Sequence, residues 1–503
     1  MAVDSLRETR HINRISTRDL SVLWSAQSYR PDITAALRGI RSMTWRPLAQ
    51  LCANAIGPGP HPTFTSAGHP CLKTKNVLGV VIDASELDFV APSDATRWPH
   101  YCIEREDLVL NVTGAGSIGR VGMYFGEDRP LTNQHLARLS IAPGADAAFV
   151  CAFLSSWWGE RALEQGISGS TGQLNLVNDH IRQVPVPVPD IAAQRYIGDK
   201  VRQAERLRER ARRLETEFRE AIAANATSTN PTTSTKASRV ATGELGRNLN
   251  PGAHTPDRRA VRAEMRAAGG RKLEELADVE SPTTDSYAAD TPYVGLDAID
   301  SASCRLQPST AAAEAVSSTA RLLREGPAIS RLRPYLKKVT YVPPSIAGGI
   351  GSTELLLIRP KPGIDGWFLY GVLKLDVTVR QLNPVATGST HPRVDREDVL
   401  ELLVPWLDDQ AALGARLRTA QACYFASATL TSAATTLITR LVEGRIAEAD
   451  LVAAERAIRE GDRRADVAIL HALRQADVSG AKPLIPDPDG LYSLLDESDQ
   501  ETD

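Results

Sequence analysis

A glycine-rich segment is the part of this sequence that comes nearest to a known cofactor-binding motif. Gly114, Gly116 and Gly119 have the GxGxxG spacing and follow residues 108–112, an apolar run typical of a strand. In dinucleotide-binding folds such glycines let the backbone approach a pyrophosphate, and a helix must come next. Residues 120–126 are instead rich in glycine and strand-forming residues. We therefore predict a glycine-rich β-turn here in place of a cofactor loop.

Other patterns that indicate catalysis or metal binding do not occur in the sequence. It contains no GxxxxGKS, GxxxxGKT, GxSxG or HExxH motif, and its nine histidines do not cluster at ligand spacing. The six cysteines lack CxxC spacing, which favours packing roles over zinc sites or disulfides. His135 has no nucleophile near it, so we interpret it as a solvated loop residue. We expect no catalytic residue, no cofactor site and no metal site.

Basic residues are concentrated in one turn-rich segment of the second half. Between positions 321 and 338 the chain has six arginines and lysines and a single acid, Glu325. Such density suits contacts with phosphates and guanine edges, although a solvated basic face has the same composition. The candidate DNA contacts in this segment are Arg331, Arg333, Lys337 and Lys338.

The first half offers a thinner set of candidates for the same role. Its bases are Lys73, Lys75 and Arg120, and the amides of Asn133 and Gln134 have the two-point geometry that pairs with adenine. The formal net charge of the chain is −3, but residues 483–503 hold seven acids and no base, so residues 1–482 carry +4. We interpret the acidic segment as a mobile tail.

The elements that would position these residues repeat once along the chain. Six short motifs return in the same order, 225 to 216 residues later, which indicates two diverged copies of one structural unit. The pairs are 46–51 with 272–276, 72–77 with 293–297, 107–112 with 326–331, 169–171 with 388–390, 184–189 with 402–405, and Gln194 with Gln410.

Each copy ends in a heptad pattern typical of a long helix. The first seam is formed by Ile197, Ala204, Ala211 and Phe218, with Lys200, Leu207, Leu214 and Ala221 beside it. The second seam is formed by Leu413, Ala420, Ser427, Ala434 and Leu441, with Leu417, Tyr424, Thr431 and Ile438 beside it. Asp190 and Asp408 precede the two runs as helix N-caps do. The two helices can pair as an antiparallel coiled coil, or each can pack on its own domain.

We therefore predict an α+β protein with two tandem domains, each followed by a long helix, the two helices pairing as an antiparallel coiled coil. The predicted divisions are an N-terminal extension and first domain over 1–188, a first helix over 189–224, a Ser/Thr-rich linker over 225–240, a second domain over 241–405, a second helix over 406–446, and a helical then acidic tail over 447–503. The sequence has no run of about 18 apolar residues and no secretory h-region, so we expect the protein in the cytoplasm.

In their order and residues, these motifs resemble the specificity (S) subunit of type I restriction-modification enzymes. In the first half the resemblance lies in residues 108–121, 132–139, 168–173 and 181–189, with Gln194. In the second half it lies in residues 328–339, 351–354, 388–393 and 404–405, with Gln410. It covers residues from about 24 to 446, so the N-terminal twenty or so residues and the segment 447–503 lie outside it.

The resemblance implies a protein without an active site of its own. In that family each globular domain recognises half of a split DNA target, and the helices hold the halves apart and dock methyltransferase subunits. The implied partners are double-stranded DNA, DNA methyltransferase (modification) subunits, of which we expect two, and in some assemblies a restriction (translocase or nuclease) subunit, with no membrane. The motif at 388–393 adds Arg393 to the candidate DNA contacts.

A helix of roughly 35 residues is about 50 Å long, comparable to some fifteen base pairs, so it can serve as a spacer between two half-sites. Two other classes stay open beside DNA recognition. One is a coiled-coil scaffold whose globular domains bind protein partners, and the other is a stand-alone nucleotide-dependent enzyme. A related phage-defence assembly, in which the nuclease is replaced or absent, would use the same recognition subunit.

Overall fold

The computed structural model describes most of the chain. The described residues are 13–17, 20, 23–114, 116–169, 174–225, 239–240, 249–300, 306, 308–316, 318–473 and 483–501. Outside them lie Ser170 and Thr171 of a repeated motif, Cys304, most of the predicted linker over 225–240 and the beginning of the N-terminal extension.

Two compact units make up the chain. The first comprises Met1–Leu207 together with Ala426–Asp503, and the second comprises Arg208–Phe425. The boundary between the units falls inside both long helices, so each unit contains a part of each helix.

The first unit is built from small sheets and short helices. Its elements before the long helix are α1 (Pro31–Arg41), β1 (Trp45–Pro47), α2 (Leu48–Leu51), β2 (Phe64–Thr65), β3 (His69–Leu72), β4 (Asp88–Val90), α3 (Pro92–Arg97), β5 (Leu108–Asn111), β6 (Val121–Met123), β7 (Leu131–Thr132), β8 (Leu136–Leu139), α4 (Ala147–Leu154), α5 (Trp157–Glu164), β9 (Ile167–Ser168), β10 (Asn175–Leu176), α6 (Asn178–Gln183) and β11 (Pro185–Pro187). Its sheets have the orders β2-β4-β3-β7, β6-β5-β8, β1-β11 and β10-β9. The first long helix, α7 (Ile191–Asn225), begins in this unit.

The second unit has a comparable set of elements. They are α8 (Pro256–Ala267), β12 (Arg271–Lys272), α9 (Leu273–Leu276), β13 (Ala277–Glu280), β14 (Thr283–Thr284), β15 (Pro292–Val294), β16 (Ser309–Thr310), β17 (Ala320–Leu322), β18 (Gly326–Ser330), β19 (Val339–Val342), β20 (Ile350–Gly351), β21 (Leu355–Pro360), α10 (Gly366–Lys374), α11 (Asp376–Leu382), α12 (Arg396–Leu400) and β22 (Leu403–Val404). Its sheets have the orders β13-β21-β18-β19, β14-β17-β20-β15-β16 and β12-β22. The second long helix, α13 (Gln410–Val442), begins in this unit.

The same strand pairings occur in both units. The central strands β5 and β18 are buried along their whole length, which explains their apolar sequences without alternation. Each pairs antiparallel with two neighbours, β5 with β6 and β8, and β18 with β19 and β21. Each unit also has one parallel pair, β3 with β7 and β15 with β20. The predicted α+β class, with two tandem domains that are each followed by a long helix, is confirmed.

The predicted heptad seams of α7 and α13 are buried or half-buried at every position. In the second unit, Glu215 Oε2 accepts a hydrogen bond of 3.3 Å from the Tyr424 hydroxyl, and Arg416 lies 3.7 Å from Glu217. The numbering falls along α13 as it rises along α7, so these parts of the helices are antiparallel. Among the described residues, no helix combines the length and the apolar character needed to cross a membrane.

The predicted N-cap residue is found at the first long helix, and the N-cap position lies one residue later than predicted at the second. Asp190 caps α7 as expected, because its Oδ1 accepts a hydrogen bond of 2.8 Å from the Ala192 amide. At the second helix, Asp409 occupies the position that we assigned to Asp408. The reason is an additional turn, closed by a hydrogen bond of 3.2 Å from the Gln410 amide to the Leu407 carbonyl.

A glutamine–aspartate clamp joins each domain to the long helix that follows it. In the first unit, Gln194 Oε1 accepts from the amide of Asp146 (3.0 Å), and Asp146 in turn caps α4 by accepting from the Phe149 amide (2.8 Å). In the second unit, Gln410 and Asp365 make the same two contacts at α10, of 2.6 and 2.8 Å. Burial raises the pKa of Asp146 despite the neighbouring Arg202.

Three helices follow α13, and they belong to the first unit. They are α14 (Glu448–Arg459), α15 (Arg464–Ala472) and α16 (Pro488–Gln500). Asp466 of α15 receives hydrogen bonds from Lys200 Nζ (2.8 and 2.9 Å) and from the Tyr196 hydroxyl (2.6 Å). The Tyr492 hydroxyl of α16 donates to the same carboxylate. Lys200, which interrupts the heptad seam, therefore has a buried partner in the C-terminal segment, and both side chains are 1% exposed.

The acidic C-terminal segment is not the mobile tail that the sequence suggested. Residues 488–500 form α16, which buries Leu491 and Leu495. Two of its acids are paired with bases of the same unit, Asp496 with Arg463 at 2.6 Å and Asp499 with Arg206. The leucines that recur at helical spacing among the acids indicate this helix in the sequence, because they give it one apolar face.

The buried ion pair between Lys200 and Asp466 is testable by charge removal. Asp466→Asn should lower the free energy of unfolding of the first unit by about 3–5 kcal/mol, because it leaves a buried ammonium group without a carboxylate. Adding Lys200→Met should restore most of the loss, since the asparagine oxygen still accepts from the tyrosines. Urea unfolding of the full-length chain measures both variants. Asp462→Asn, which breaks an exposed pair with Arg464, is the control and should change little.

Because of the clamp, we expect two glycine-to-alanine substitutions in the long helices to destabilise the protein, which is opposite to their usual effect. Alanine normally stabilises a helix interior by about 1 kcal/mol over glycine. A Cβ at Gly198 would overlap Oδ1 of Asp146, and a Cβ at Gly414 would overlap Oδ1 of Asp365. We therefore expect Gly198→Ala and Gly414→Ala each to lower the melting temperature. A rise in melting temperature for either variant would show that the clamp does not constrain the helix.

Candidate nucleic-acid interface

Three separate segments of the second domain meet at one end of its sheet. They are the β18–β19 turn, the residues after β20 and the loop before α12. The Arg331 amide donates to the Glu354 carbonyl (2.9 Å), and the Val394 amide donates to the Arg331 carbonyl (3.0 Å). The Arg333 amide donates to the Pro392 carbonyl at 2.7 Å. The structure therefore brings together three segments that the sequence singled out separately, and we call this set the second-domain loop cluster.

A single carboxylate holds two of the candidate arginines in this cluster. Glu354 accepts from Arg393 Nε (2.9 Å) and Nη2 (2.7 Å), and it lies 3.8 Å from Arg331 Nε. The hydrogen bonds that Arg393 donates to the Glu354 carboxylate raise the pKa of Arg393. Arg331 Nη2 also reaches Asp395 at 3.4 Å. Both guanidinium groups are thus oriented by fixed carboxylates while remaining partly exposed.

The other candidates of the second domain have weaker or different contacts. Arg333 donates from Nη2 to the Thr390 carbonyl at 3.1 Å, within the same cluster. Lys337 pairs with Asp376 at 2.5 Å on an exposed surface. Lys338 donates to the Ile299 carbonyl at 2.5 Å, so its ammonium group is turned towards the domain.

Two other bases of the segment 321–338 have structural roles. Arg321 is buried in β17 and donates to the carbonyls of Leu355 (2.7 Å) and Thr353 (2.6 Å), so it braces the loop that carries Glu354. Burial lowers the pKa of Arg321. Arg324 pairs with Glu280 at 3.1 Å. The sequence grouped them with the surface bases because charge density along the chain does not show which side chains are buried.

The first domain has a corresponding cluster, formed by three segments at comparable places in its fold. The Val112 amide donates to the His135 carbonyl (3.0 Å), and the Leu176 amide donates to the Val112 carbonyl (2.9 Å). Thr113 Oγ1 lies 2.6 Å from Nδ1 of His135. The β5–β6 turn, the residues after β7 and the end of β10 therefore meet, and we call them the first-domain loop cluster.

The candidates of the first domain are distributed around this cluster. Arg120 ends the β5–β6 turn with an exposed side chain. Lys73 and Lys75 both pair with Asp88, at 3.1 and 2.8 Å. Lys73 follows β3 as Asn133 follows β7, and the two strands are parallel neighbours, so both residues lie at the same sheet edge.

The two amide candidates take part in the loop structure. Asn133 is only 4% exposed, and its Oδ1 accepts from the His135 amide at 3.1 Å. Gln134 Nε2 lies 3.0 Å from Nε2 of His135. His135 is exposed, as predicted, but it joins Thr113 to Gln134 in a polar network that sequence spacing does not reveal.

The glycine-rich segment forms the β5–β6 turn, and a strand follows it as predicted. Gly114, Gly116 and Gly119 have φ angles of 111°, 78° and 83°, which favour glycine. The dinucleotide fingerprint requires a helix at this point. Within the described part of the chain, no group of three or more His, Cys, Asp or Glu side chains is arranged to hold a metal ion.

No family model and no curated protein matches this chain. Solved structures are similar to it over most of its length. A crystal structure of the type I restriction-modification system S subunit from M. genitalium is 13% identical, with a TM-score of 0.37, and the match covers 82% of this chain and 96% of that one. A crystal structure of the HsdS subunit from Thermoanaerobacter tengcongensis is 15% identical, with a TM-score of 0.24, over 84% and 97% of the two chains.

A third structure concerns complex assembly and conformational transition of the type I R-M system. It is 14% identical to this chain, with a TM-score of 0.26, over 82% and 97% of the two chains.

Glu354 provides a test of whether the second-domain loop cluster contacts nucleic acid. Glu354→Gln removes the charge that Arg331 and Arg393 share, so binding of the full-length chain to random double-stranded DNA at low salt should tighten, with a steeper salt dependence. Glu280→Gln is the matched control, because Glu280 also pairs with two arginines, Arg324 and Arg359, outside the cluster. Equal effects of the two substitutions would argue against the cluster as the interface.

Proposed function

We propose that this chain is the non-catalytic DNA sequence-recognition subunit of a type I restriction-modification complex or a related phage-defence complex. The observation that carries the proposal is the same loop cluster built twice, once in each domain, with different side chains. The first cluster displays Arg120, Gln134 and His135, and the second displays Arg331, Arg333 and Arg393. Two unlike recognition surfaces suit a bipartite, asymmetric DNA target.

The chemistry of the second-domain loop cluster supports direct base recognition. Guanidinium groups make two-point contacts with guanine, but they discriminate between bases only when they are held in a defined orientation. Glu354 and Asp395 supply that orientation by accepting hydrogen bonds from Arg393 and Arg331. The first cluster has fewer charges and more amide and imidazole groups, which suit adenine contacts.

The long helices support a spacer function. α7 has 35 residues and α13 has 33, which corresponds to about 50 Å of helix each at 1.5 Å per residue. We propose that they set the number of base pairs between the two half-sites and dock the methyltransferase subunits, of which we expect two. A restriction subunit would join the complex in systems that cleave DNA.

The net charge of the chain supports a need for partners. It is −3, because the acidic C-terminal segment is part of the folded first unit, and most candidate bases already have carboxylate partners. Non-specific DNA affinity depends on the number of phosphates neutralised, so the isolated chain should bind DNA weakly. Methylation and cleavage would be supplied by the partner subunits.

An exchange of domains tests the two-domain arrangement. Replacing residues 1–188 by the corresponding domain of another S subunit should change one half of the methylated target and leave the other half intact. Mapping modified bases across the genome of the host, with and without the gene, measures this outcome. A map that is identical with and without the gene would favour the alternative, a coiled-coil scaffold that binds proteins.

Single arginine substitutions test the second-domain loop cluster, both by DNA binding and by mapping modified bases. Arg331→Ala should weaken binding by about 1–3 kcal/mol and relax one position of the second half-site if it contacts a guanine edge. Arg359→Ala is the control, because Arg359 is an exposed base paired with Asp278 and Glu280 outside the cluster. An altered first half-site in the Arg331 variant would contradict the assignment of halves to domains.

A further inference from the structure

The β18–β19 turn is closed in the same way as the β5–β6 turn, but it is one residue shorter and contains no glycine. The Asn111 amide donates to the Arg120 carbonyl (2.9 Å), and the Ser330 amide donates to the Lys338 carbonyl (2.8 Å), so equivalent hydrogen bonds close the two turns. When the closing residues are counted, the fourth residue and the next-to-last residue of each turn are left-handed. In the first domain they are Gly114 and Gly119.

In the second domain the two left-handed positions are Arg333, with φ 48°, and Lys337, with φ 49°. Glycine adopts this conformation freely, whereas residues with a Cβ are strained in it. The backbone of the second-domain turn is therefore strained at two positions where the first domain has unstrained glycines. Strain of this kind persists where the side chain or the presented surface has a function.

Their side-chain contacts do not explain why Arg333 and Lys337 occupy these positions. Lys337 pairs with Asp376, but both side chains are largely exposed, and such pairs stabilise a fold little. Arg333 makes one hydrogen bond of 3.1 Å to a backbone carbonyl, and its Nε has no acceptor among the described residues. Both positive groups remain able to contact a ligand.

The turn between these residues presents an apolar surface to solvent. Tyr335 is 49% exposed and Leu336 is 41% exposed, although both are large hydrophobic residues. Pro334 fixes the first position, and backbone hydrogen bonds from Leu336 to Arg333 (2.9 Å) and from Lys337 to Pro334 (3.0 Å) close the turn. The tip is therefore held rigidly away from the core.

We propose that the Tyr335–Leu336 tip enters a groove of double-stranded DNA and makes apolar contact with base edges of the second half-site, while Arg333 and Lys337 bind the flanking phosphates. This inference rests on the proposed function and extends it to residues that are not basic. Apolar side chains recognise thymine methyl groups in the major groove and wedge between base steps in the minor groove. The basic groups on both sides of the tip match the phosphates that border a groove.

The first test removes the tip. The complex is purified from its host through a tag on the full-length chain carrying Tyr335→Ser and Leu336→Ser. Because both side chains are half exposed, the melting temperature should stay near that of the wild type. Affinity for the methylated target should fall about tenfold or more, with a smaller change for random DNA. An affinity for the target within about twofold of the wild type would overturn the proposal.

The second test separates strain from function. Arg333→Gly and Lys337→Gly should leave the melting temperature equal or higher, because glycine relieves the left-handed strain, while both weaken binding to all DNA sequences. Ala315→Gly is the matched control, since Ala315 is an exposed left-handed residue of the same unit outside the cluster. It should raise the melting temperature without changing DNA binding. A marked fall in the melting temperature of the Arg333 or Lys337 variant would assign those side chains to the fold and overturn the proposal.

The outcomes also separate this inference from the proposed function. A wild-type complex that prefers no DNA sequence would refute the recognition function itself. A wild-type complex with a defined target that the tip variants retain unchanged would refute only the assignment of the tip. Loss of the second half-site alone, with the first half-site intact, supports both.

Discussion

The glutamine amide at the beginning of each long helix fixes the position of the preceding domain against that helix. Gln194 and Gln410 each use their carbonyl oxygen to accept from the amide of an aspartate that caps a domain helix, and their NH₂ group donates to a nearby backbone carbonyl. An amide side chain is suited to this role because it donates and accepts at once without a charge. A glycine one turn further along the helix leaves room for the aspartate.

The position of the loop clusters follows from this attachment and from the strand order. β5 and β18 are central and buried, so the turns that follow them project from the same end of each sheet. The parallel pairs β3–β7 and β15–β20 bring two more chain segments to the corresponding edge. Side chains on these loops can therefore differ between the domains while the scaffold beneath them stays the same.

The sequence predicted the repeat, the two long helices and the class of fold, because each depends on periodic apolar residues or on motifs in a fixed order. It predicted the glycine-rich turn for the same kind of reason, since the residues after Gly119 favour a strand. It did not predict which bases are exposed, since Arg321 is buried and Arg333 is partly exposed although both belong to the same basic segment. The role of Gln194 was equally hidden, because its partner Asp146 is 48 residues away.

The acidic C-terminal segment shows the limit of composition as a guide. Seven acids and no base suggested a tail, but the segment has leucines at helical spacing and bases of other segments as partners. Likewise, Lys200 interrupts an apolar seam in the sequence, whereas in the structure it is one of the residues that bind the C-terminal helices. Both features depend on contacts between residues that are far apart in sequence, which no local pattern records.

The attachment of α15 to α7 has a consequence for biosynthesis. Asp466 leaves the ribosome 266 residues after Lys200, a delay of roughly 15 to 50 seconds at ordinary rates of translation. Until then the ammonium group must stay hydrated, so the beginning of α7 cannot reach its final packing while the chain is being made. Completion of the first unit thus depends on synthesis of the segment that contains Asp466.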